Sequence, residues 1–167
     1  KVMPLFQNYL MVDWSASNVP KSGKDSIWIS HFRRGAQNNV TQRTSNPRTR
    51  RLAMMEVAEI IQQSLAAKER ILVGFDFPLG YPSEAVKVIA AGKGHKAFRE
   101  KISSMLSDDE KNASNRFEVA GDLNQTYFPE TPMFWGHPQE HVYRGLTPTK
   151  PIHGHRRKLE LRVTETI

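Results

Sequence analysis

At 167 residues the chain is long enough for one domain with a real hydrophobic core, and no internal repeat, low-complexity tract or linker divides it. Hydrophobic residues make up 38% and charged residues 25%; no apolar run approaches a membrane span and no signal-peptide pattern opens the chain, so the expectation is a cytoplasmic protein with no membrane partner. The absence of cysteine excludes disulfides, thiolate metal sites and cysteine nucleophiles, while 24 Lys+Arg against 17 Asp+Glu, a net +7, biases the chain toward polyanionic partners such as nucleic acid or a phosphorylated small molecule.

In chain order, Tyr9 to Trp14 is the first predicted strand, apolar until it meets Asp13. Ser15 to Asp25 is rich in Ser, Asn, Pro, Gly and Lys and reads as a loop. Ser26 to Phe32 has the β-branched and aromatic content of a second strand, antiparallel to the first, and Val40 to Arg43 a short third one. After Ser45-Asn46-Pro47, the stretch Arg48 to Lys68 has neither Gly nor Pro and predicts a long helix. Met54, Val57, Ala58, Ile61 and Leu65 are spaced as its buried stripe. The basic run Arg48 to Arg51 opens this helix, where the macrodipole disfavours cations and where an anion would be welcome.

Ile71 to Asp76 follows as a buried apolar strand that ends in an acid between two aromatics, Phe75-Asp76-Phe77. Pro78, Gly80 and Pro82 then forbid continuation of the ladder. The order β-β-β-α-β, with the last strand returning beside the first, is the start of a ribonuclease-H-like mixed sheet. In that arrangement Asp13 and Asp76 end neighbouring strands and face one cleft, where open α/β sheets place their chemistry.

Beyond Tyr81, helices are predicted over Ser83 to Ala91, with Ser83 as N-cap, and over His95 to Leu106. A third is predicted from the capping-box pattern Ser107-Asp108-Asp109-Glu110 to about Asn124. Gln125 to His155 carries five prolines and reads mostly as loop, with Met133-Phe134-Trp135 and His141-Val142-Tyr143 as short strands or aromatic plugs. Arg156 to Arg162 is basic and compatible with a helix. His137, His141, His153 and His155 crowd this region, but Pro138 works against the helix that a His-x-x-x-His zinc pair would need.

Val12 to Ala16 and Gly74 to Pro82 resemble a family of predicted nucleases with a ribonuclease-H-like fold, the group known as DUF429. Asn115 to Ala120, Leu123-Asn124 and Phe134-Trp135-Gly136 look like relatives of its motifs too, so the resemblance spans most of the chain in order. It implies acidic strand ends and, by analogy with ribonuclease H, metal-dependent phosphodiester hydrolysis on a substrate the sequence does not name.

Such chemistry uses carboxylates that hold Mg²⁺ or Mn²⁺ ions about 3.5–4 Å apart. Asp13 and Asp76 are the expected metal ligands and catalytic residues, with Lys21, Lys24, Arg48, Arg50 and Arg51 expected to neutralise substrate phosphates. Two acids are fewer than a complete two-metal site needs. The fold normally continues to a fifth strand and a closing helix; either Met133-Phe134-Trp135 is that strand or the chain is a fragment whose last elements are missing, and the second is the preferred expectation. A rival reading is a phosphate-binding domain of the actin and sugar-kinase kind, with the Ser15 to Lys24 hairpin cradling phosphates through backbone N–H groups. A third is a non-catalytic domain that keeps the fold.

Overall fold

Apolar strands closed by polar punctuation, and one long helix, organise the first half of the computed structural model, which describes residues 5–35, 39–151 and 161–163. The strands are β1 (Asn8–Asp13), β2 (Trp28–Arg34), β3 (Val40–Ser45) and β4 (Ile71–Phe75), and α1 (Arg50–Ala66) joins β3 to β4. They form one four-stranded sheet in the order β3-β2-β1-β4. β1, β2 and β3 make an antiparallel meander, and β4 returns parallel to β1. This is an α/β fold with a mixed sheet. It also contains α2 (Ser83–Ile89), α3 (Gly94–Met105), α4 (Arg116–Tyr127), and the two-residue strands β5 (Phe134–Trp135) and β6 (Leu161–Arg162).

The chain divides into two compact units, Lys1–Asp76 with Glu110–Asn112, and Phe77–Asp109 with Ala113–Ile167. In the first, one sheet face is buried: Leu10, Val12 and Ile29 form a core with Ile27 and with Ala53, Val57 and Ile60 of α1. Thr49 caps α1, its hydroxyl accepting the Leu52 N–H at 3.2 Å. The side of α1 that is buried is Arg50, Ala53, Val57, Ile60 and Ser64. The expected stripe is thus one residue out of phase. Met54 and Leu65 are exposed, Ala58 with them; of the expected stripe Val57 is buried and Ile61, half-buried, packs against the same core. The helix is apolar on two adjacent stripes, and the one with the smaller side chains lies on the sheet. Ser64 tolerates burial because its hydroxyl donates to the Ile60 carbonyl at 2.9 Å.

A polar clamp closes the edge of the sheet away from the strand ends that carry the acids. Asn8, 1% exposed, donates to Glu69 Oε2 at 2.8 Å and accepts from His31 Nε2 at 3.0 Å. Arg33 donates to both Glu69 oxygens at 2.9 and 2.6 Å. Hydrogen bonds from Arg33, then from Asn8, hold the Glu69 carboxyl down to about 2 from an ordinary 4.5. A lowered carboxylate stabilises the fold above its ordinary pKa and loses that contribution as pH falls through the folded value. Glu69→Gln is therefore expected to cost about 1–2 kcal/mol in urea unfolding at pH 7. The difference from wild type should shrink as pH falls from 4.5 toward 2. A difference independent of pH would show that the charge is not what matters.

In the second unit, α2 packs on α3 and α4, and α4 on β5, around a core that includes Ala85, Ile89, Phe98, Phe117, Leu123 and Phe134. Gly92, at φ +76°, ends the α2 segment as expected; its N–H reaches the Lys87 carbonyl at 2.8 Å. Ser83 is the first helical residue and not the cap, a place held by Pro82.

The predicted helix from Ser107 starts nine residues later, at Arg116. Its capping-box residues build a loop instead: Asp109 Oδ1 accepts the Ala113 N–H at 2.7 Å, and Asn115 Oδ1 accepts the Ser107 N–H at 2.8 Å. Met133-Phe134-Trp135 does contain a strand, but β5 pairs in parallel with β6 and not with the four-stranded sheet. His141-Val142-Tyr143 is not a strand, and Val142 is 96% exposed. The predicted basic helix at Arg156 to Arg162 lies outside the described residues except for Leu161–Arg162, which form β6. Among the described residues no helix is long and apolar enough to cross a membrane.

Candidate active site

The parallel pairing of β1 with β4 aligns Val12 with Phe75, so the next residues, Asp13 and Asp76, end adjacent strands side by side. The Asp76 N–H extends the ladder to the Val12 carbonyl at 3.2 Å. The return bond comes from the Trp14 N–H, which donates to Asp76 Oδ1 at 2.8 Å and fixes that carboxylate against β1. The two carboxyl groups are within hydrogen-bond reach of one another. Desolvation, then the hydrogen bond to Asp76 and its charge, raise the Asp13 carboxyl above its ordinary 3.8. Two acids arranged this way attract a proton or a cation.

Side chains two apart along a strand share a face, and the register places a row of them beside the pair. Asp13 is opposite Trp28, Met11 is opposite both Ser30 and Gly74, and Ser30 is opposite Thr44. These residues line an open groove of about 400 Å³ on the sheet face that α1 does not cover, with Asp13 and Asp76 at its strand-end side. Met11 is 44% and Trp28 41% exposed. Trp14, the aromatic adjacent to Asp13 in sequence, packs toward the core, edge-on to Phe75 at 6.4 Å.

The five basic residues expected at the site have different positions. Arg50 is buried, its guanidinium donating to the carbonyls of Ser17 at 2.8 Å and Asn112 at 2.6 Å. Its N–H donates to Asn112 Oδ1 at 2.8 Å, and Asn112 itself adopts φ +71° to receive it. Arg50 thus ties the helix start to two loops. Arg50→Met is expected to lower stability by about 2 kcal/mol, measured by urea unfolding, because the buried carbonyls lose a charged donor. A variant that unfolds like wild type would return Arg50 to the list of substrate contacts. Arg51 pairs with Glu110, and Lys21 with Asp25 at 3.7 Å. Lys24 and Arg48 are exposed. Among the described residues no Lys or Arg lines the groove.

The hairpin loop Ser15 to Lys24 uses several of its own N–H groups internally. Ser17 N–H donates to Ser15 Oγ and Val19 N–H to Ser17 Oγ, both at 3.3 Å, while Gly23 N–H donates to Asn46 Oδ1 at 2.7 Å. The Lys21 N–H reaches the Arg48 carbonyl at 3.0 Å. Of the four histidines, His137 and His141 both flank Tyr143, at 5.2 and 6.1 Å between rings, and His153 and His155 lie outside the described residues. Among the described residues no three His, Cys, Asp or Glu side chains come together as a metal-binding group.

Asp13 and Asp76 were accessible to sequence reasoning because both close apolar runs. Trp28, Met11, Ser30, Thr44 and Gly74 were not singled out. Their signal was the alternation along β2 and the glycine inside the apolar run of β4, which acquire meaning only once the register is known. Comparison of the chain with family models, with curated proteins and with solved structures finds no match.

Proposed function

We propose that this chain is a ribonuclease-H-like domain of the predicted-nuclease group it resembles, and that it hydrolyses phosphodiesters with a divalent metal at Asp13 and Asp76. The observation that carries the reading is the pair of carboxyl groups at the ends of two adjacent parallel strands, close enough that Asp76 helps to raise the Asp13 carboxyl. A meander followed by a helix and a parallel returning strand is the arrangement in which that fold places its acids.

The donor set fits one hard cation. Mg²⁺ and Mn²⁺ take oxygen ligands, and Mg²⁺ sites commonly use one or two carboxylates with waters and substrate phosphate completing the shell. A bound cation would supply charge to the phosphoryl oxygens and lower the pKa of a coordinated water. The protein's own part is to hold the two carboxylates: the Trp14 N–H orients Asp76, and the sheet fixes its separation from Asp13. Lys24 and Arg48, both exposed, are the cations best able to meet a substrate phosphate. The phosphate-cradle reading has less support, since the N–H groups of Ser17, Val19, Lys21 and Gly23 already have acceptors.

The test is hydrolysis of an activated phosphodiester and of a single-stranded oligonucleotide with Mn²⁺ or Mg²⁺. Activity is expected to require the metal and to fall at least about a hundredfold in Asp13→Asn, whose side chain keeps the size but loses the charge. Metal-independent turnover, or full turnover by the variant, would remove the reading.

A further inference from the structure

The groove beside the two acids differs from a phosphate site in its chemistry. Among the described residues its lining brings an indole, a thioether, two hydroxyls and the two carboxylates together with Val12, Ile29, Gly74 and Phe75, and no basic residue. We infer that this groove is the seat of an aromatic ring, a nucleobase, so that the substrate enters as an unpaired strand end with the base of one nucleotide on Trp28 and its phosphodiester at Asp13 and Asp76. The inference rests on the phosphodiesterase reading for its phosphate half and stands on the groove alone for its ring half.

Three observations converge. The volume, about 400 Å³, falls within the range of small-ligand pockets, about 300–1,000 Å³. Trp28 is 41% exposed although its Nε1–H is held by the Gly23 carbonyl at 3.1 Å, so the indole is pre-oriented without being covered. Stacking on such a surface is sequence-tolerant, since every base has a π-face. The Met11 side chain can lie flat on the floor because residue 74 is glycine: a Cβ there would meet Met11 Sδ at 2.8 Å and displace that flexible side chain.

Ser30, opposite Met11, and Thr44, opposite Ser30, also line the groove and bring hydroxyls that can donate to or accept from a base edge. Trp28 is directly across from Asp13, one strand spacing of about 4.8 Å from it, so the ring subsite adjoins the acids. A duplex keeps its bases stacked on each other and offers only its backbone to such a surface, whereas an unpaired nucleotide can lay its ring there.

Calorimetry and tryptophan fluorescence on the full chain test this with adenosine, adenosine 5′-monophosphate and ribose 5-phosphate. Adenosine is expected to bind without metal. With Mn²⁺, the monophosphate should bind at least about tenfold tighter than ribose 5-phosphate, the range that one stacked base supplies. Trp28→Ala should erase that preference while leaving Mn²⁺ and ribose 5-phosphate affinities unchanged, and Trp28→Phe should keep most of it. Gly74→Ala, which leaves Trp28 in place, should weaken adenosine as well.

Equal affinity of the wild type for the monophosphate and ribose 5-phosphate would overturn the inference. So would a preference that survives Trp28→Ala, or loss of the preference in Trp28→Phe together with loss of Mn²⁺ affinity, which would make the residue structural. Adenosine binding without any Mn²⁺ binding would support the ring subsite and sink the phosphodiesterase reading, so the two failures are distinguishable.

Discussion

Asn124→Ala is expected to destabilise the protein by about 3–5 kcal/mol. Asn124 is 1% exposed and uses its whole hydrogen-bonding capacity on backbone. Its Oδ1 accepts the N–H groups of Met133 and Phe134, both at 2.9 Å, and its Nδ2 donates to the carbonyls of Phe134 at 2.9 Å and Gly145 at 2.8 Å. An amide has two donors and two acceptor sites, so nothing is left over. Alanine would leave these backbone groups without their partner, at about 1–3 kcal/mol for each one that stays buried and unsatisfied.

Close backbone approach is part of the same joint. A Cβ on Gly121 would stand 2.2 Å from the Arg144 carbonyl oxygen, and one on Gly145, at φ +75°, 2.8 Å from the Gly121 oxygen. The loop thus lies directly on α4, and the Asn124 amide fastens it there. Urea unfolding followed by near-UV circular dichroism measures the loss. Asn124→Asp provides the sign: it keeps both acceptor sites but presents a carboxylate to two carbonyls, so it should be comparably destabilised at pH 7. It should recover in part below the carboxylate range, where the protonated acid can donate once. An Asn124→Ala loss below about 1 kcal/mol would mean that water replaces the amide without penalty.

The sheet was legible in the sequence because its strands are marked twice, by apolar content and by what stops them. β1 ends at Asp13 and β4 just before Asp76, and the parallel return of β4 beside β1 follows from a helix long enough to cross over. The face of α1 was not legible. Met54 and Leu65 outrank Ala53 and Ser64 in hydrophobicity, yet the latter pair are buried, because small residues let the helix lie close to the sheet. Hydrophobic spacing reports that a helix is amphipathic and says little about which of two adjacent apolar stripes faces inward.

The failure at Ser107 is of another kind. A capping-box pattern needs its side chains free to turn back on a helix, and here Asp109 and Asn115 close a loop while Asn112 is held against Arg50. Those partners are distant in sequence or local in a non-helical way, and neither is visible from spacing. Arg50 illustrates the same limit at the site: in the sequence it is one of four consecutive polar residues at a helix start, and only the fold commits it to Ser17 and Asn112. The acids could be paired from the order of elements alone. The groove could not, since it depends on which residue of β2 faces which residue of β1.

Asp76→Asn should leave the protein at least as stable at pH 7 as the wild type while weakening Mn²⁺ binding at least about tenfold, or 1.4 kcal/mol. The amide oxygen can still accept the Trp14 N–H that Asp76 Oδ1 accepts at 2.8 Å, so the backbone junction is kept and only the charge is removed. In the wild type, desolvation and the neighbouring Asp76 raise the Asp13 carboxyl above its ordinary value. A raised acid favours the fold at pH below the unfolded value and loses that advantage as pH rises through the folded value. At neutral pH the ionised Asp13 is therefore disfavoured, by desolvation first and then by Asp76, and the variant relieves the second part.

The stability difference should vanish at low pH, where Asp13 is protonated in both proteins, and should shrink with salt, since Asp13 is exposed. Mn²⁺ reverses the comparison. It should raise the wild-type unfolding midpoint in proportion to occupancy and leave Asp76→Asn nearly unmoved. Its affinity for the wild type should fall as acid protonates Asp13, because the ligand is the carboxylate. A structural pair predicts the opposite pattern, with Asp76→Asn destabilised at pH 7 and no response of either protein to metal. A pair that costs stability without metal and gains it with metal would have a reason to stand side by side that packing alone does not give.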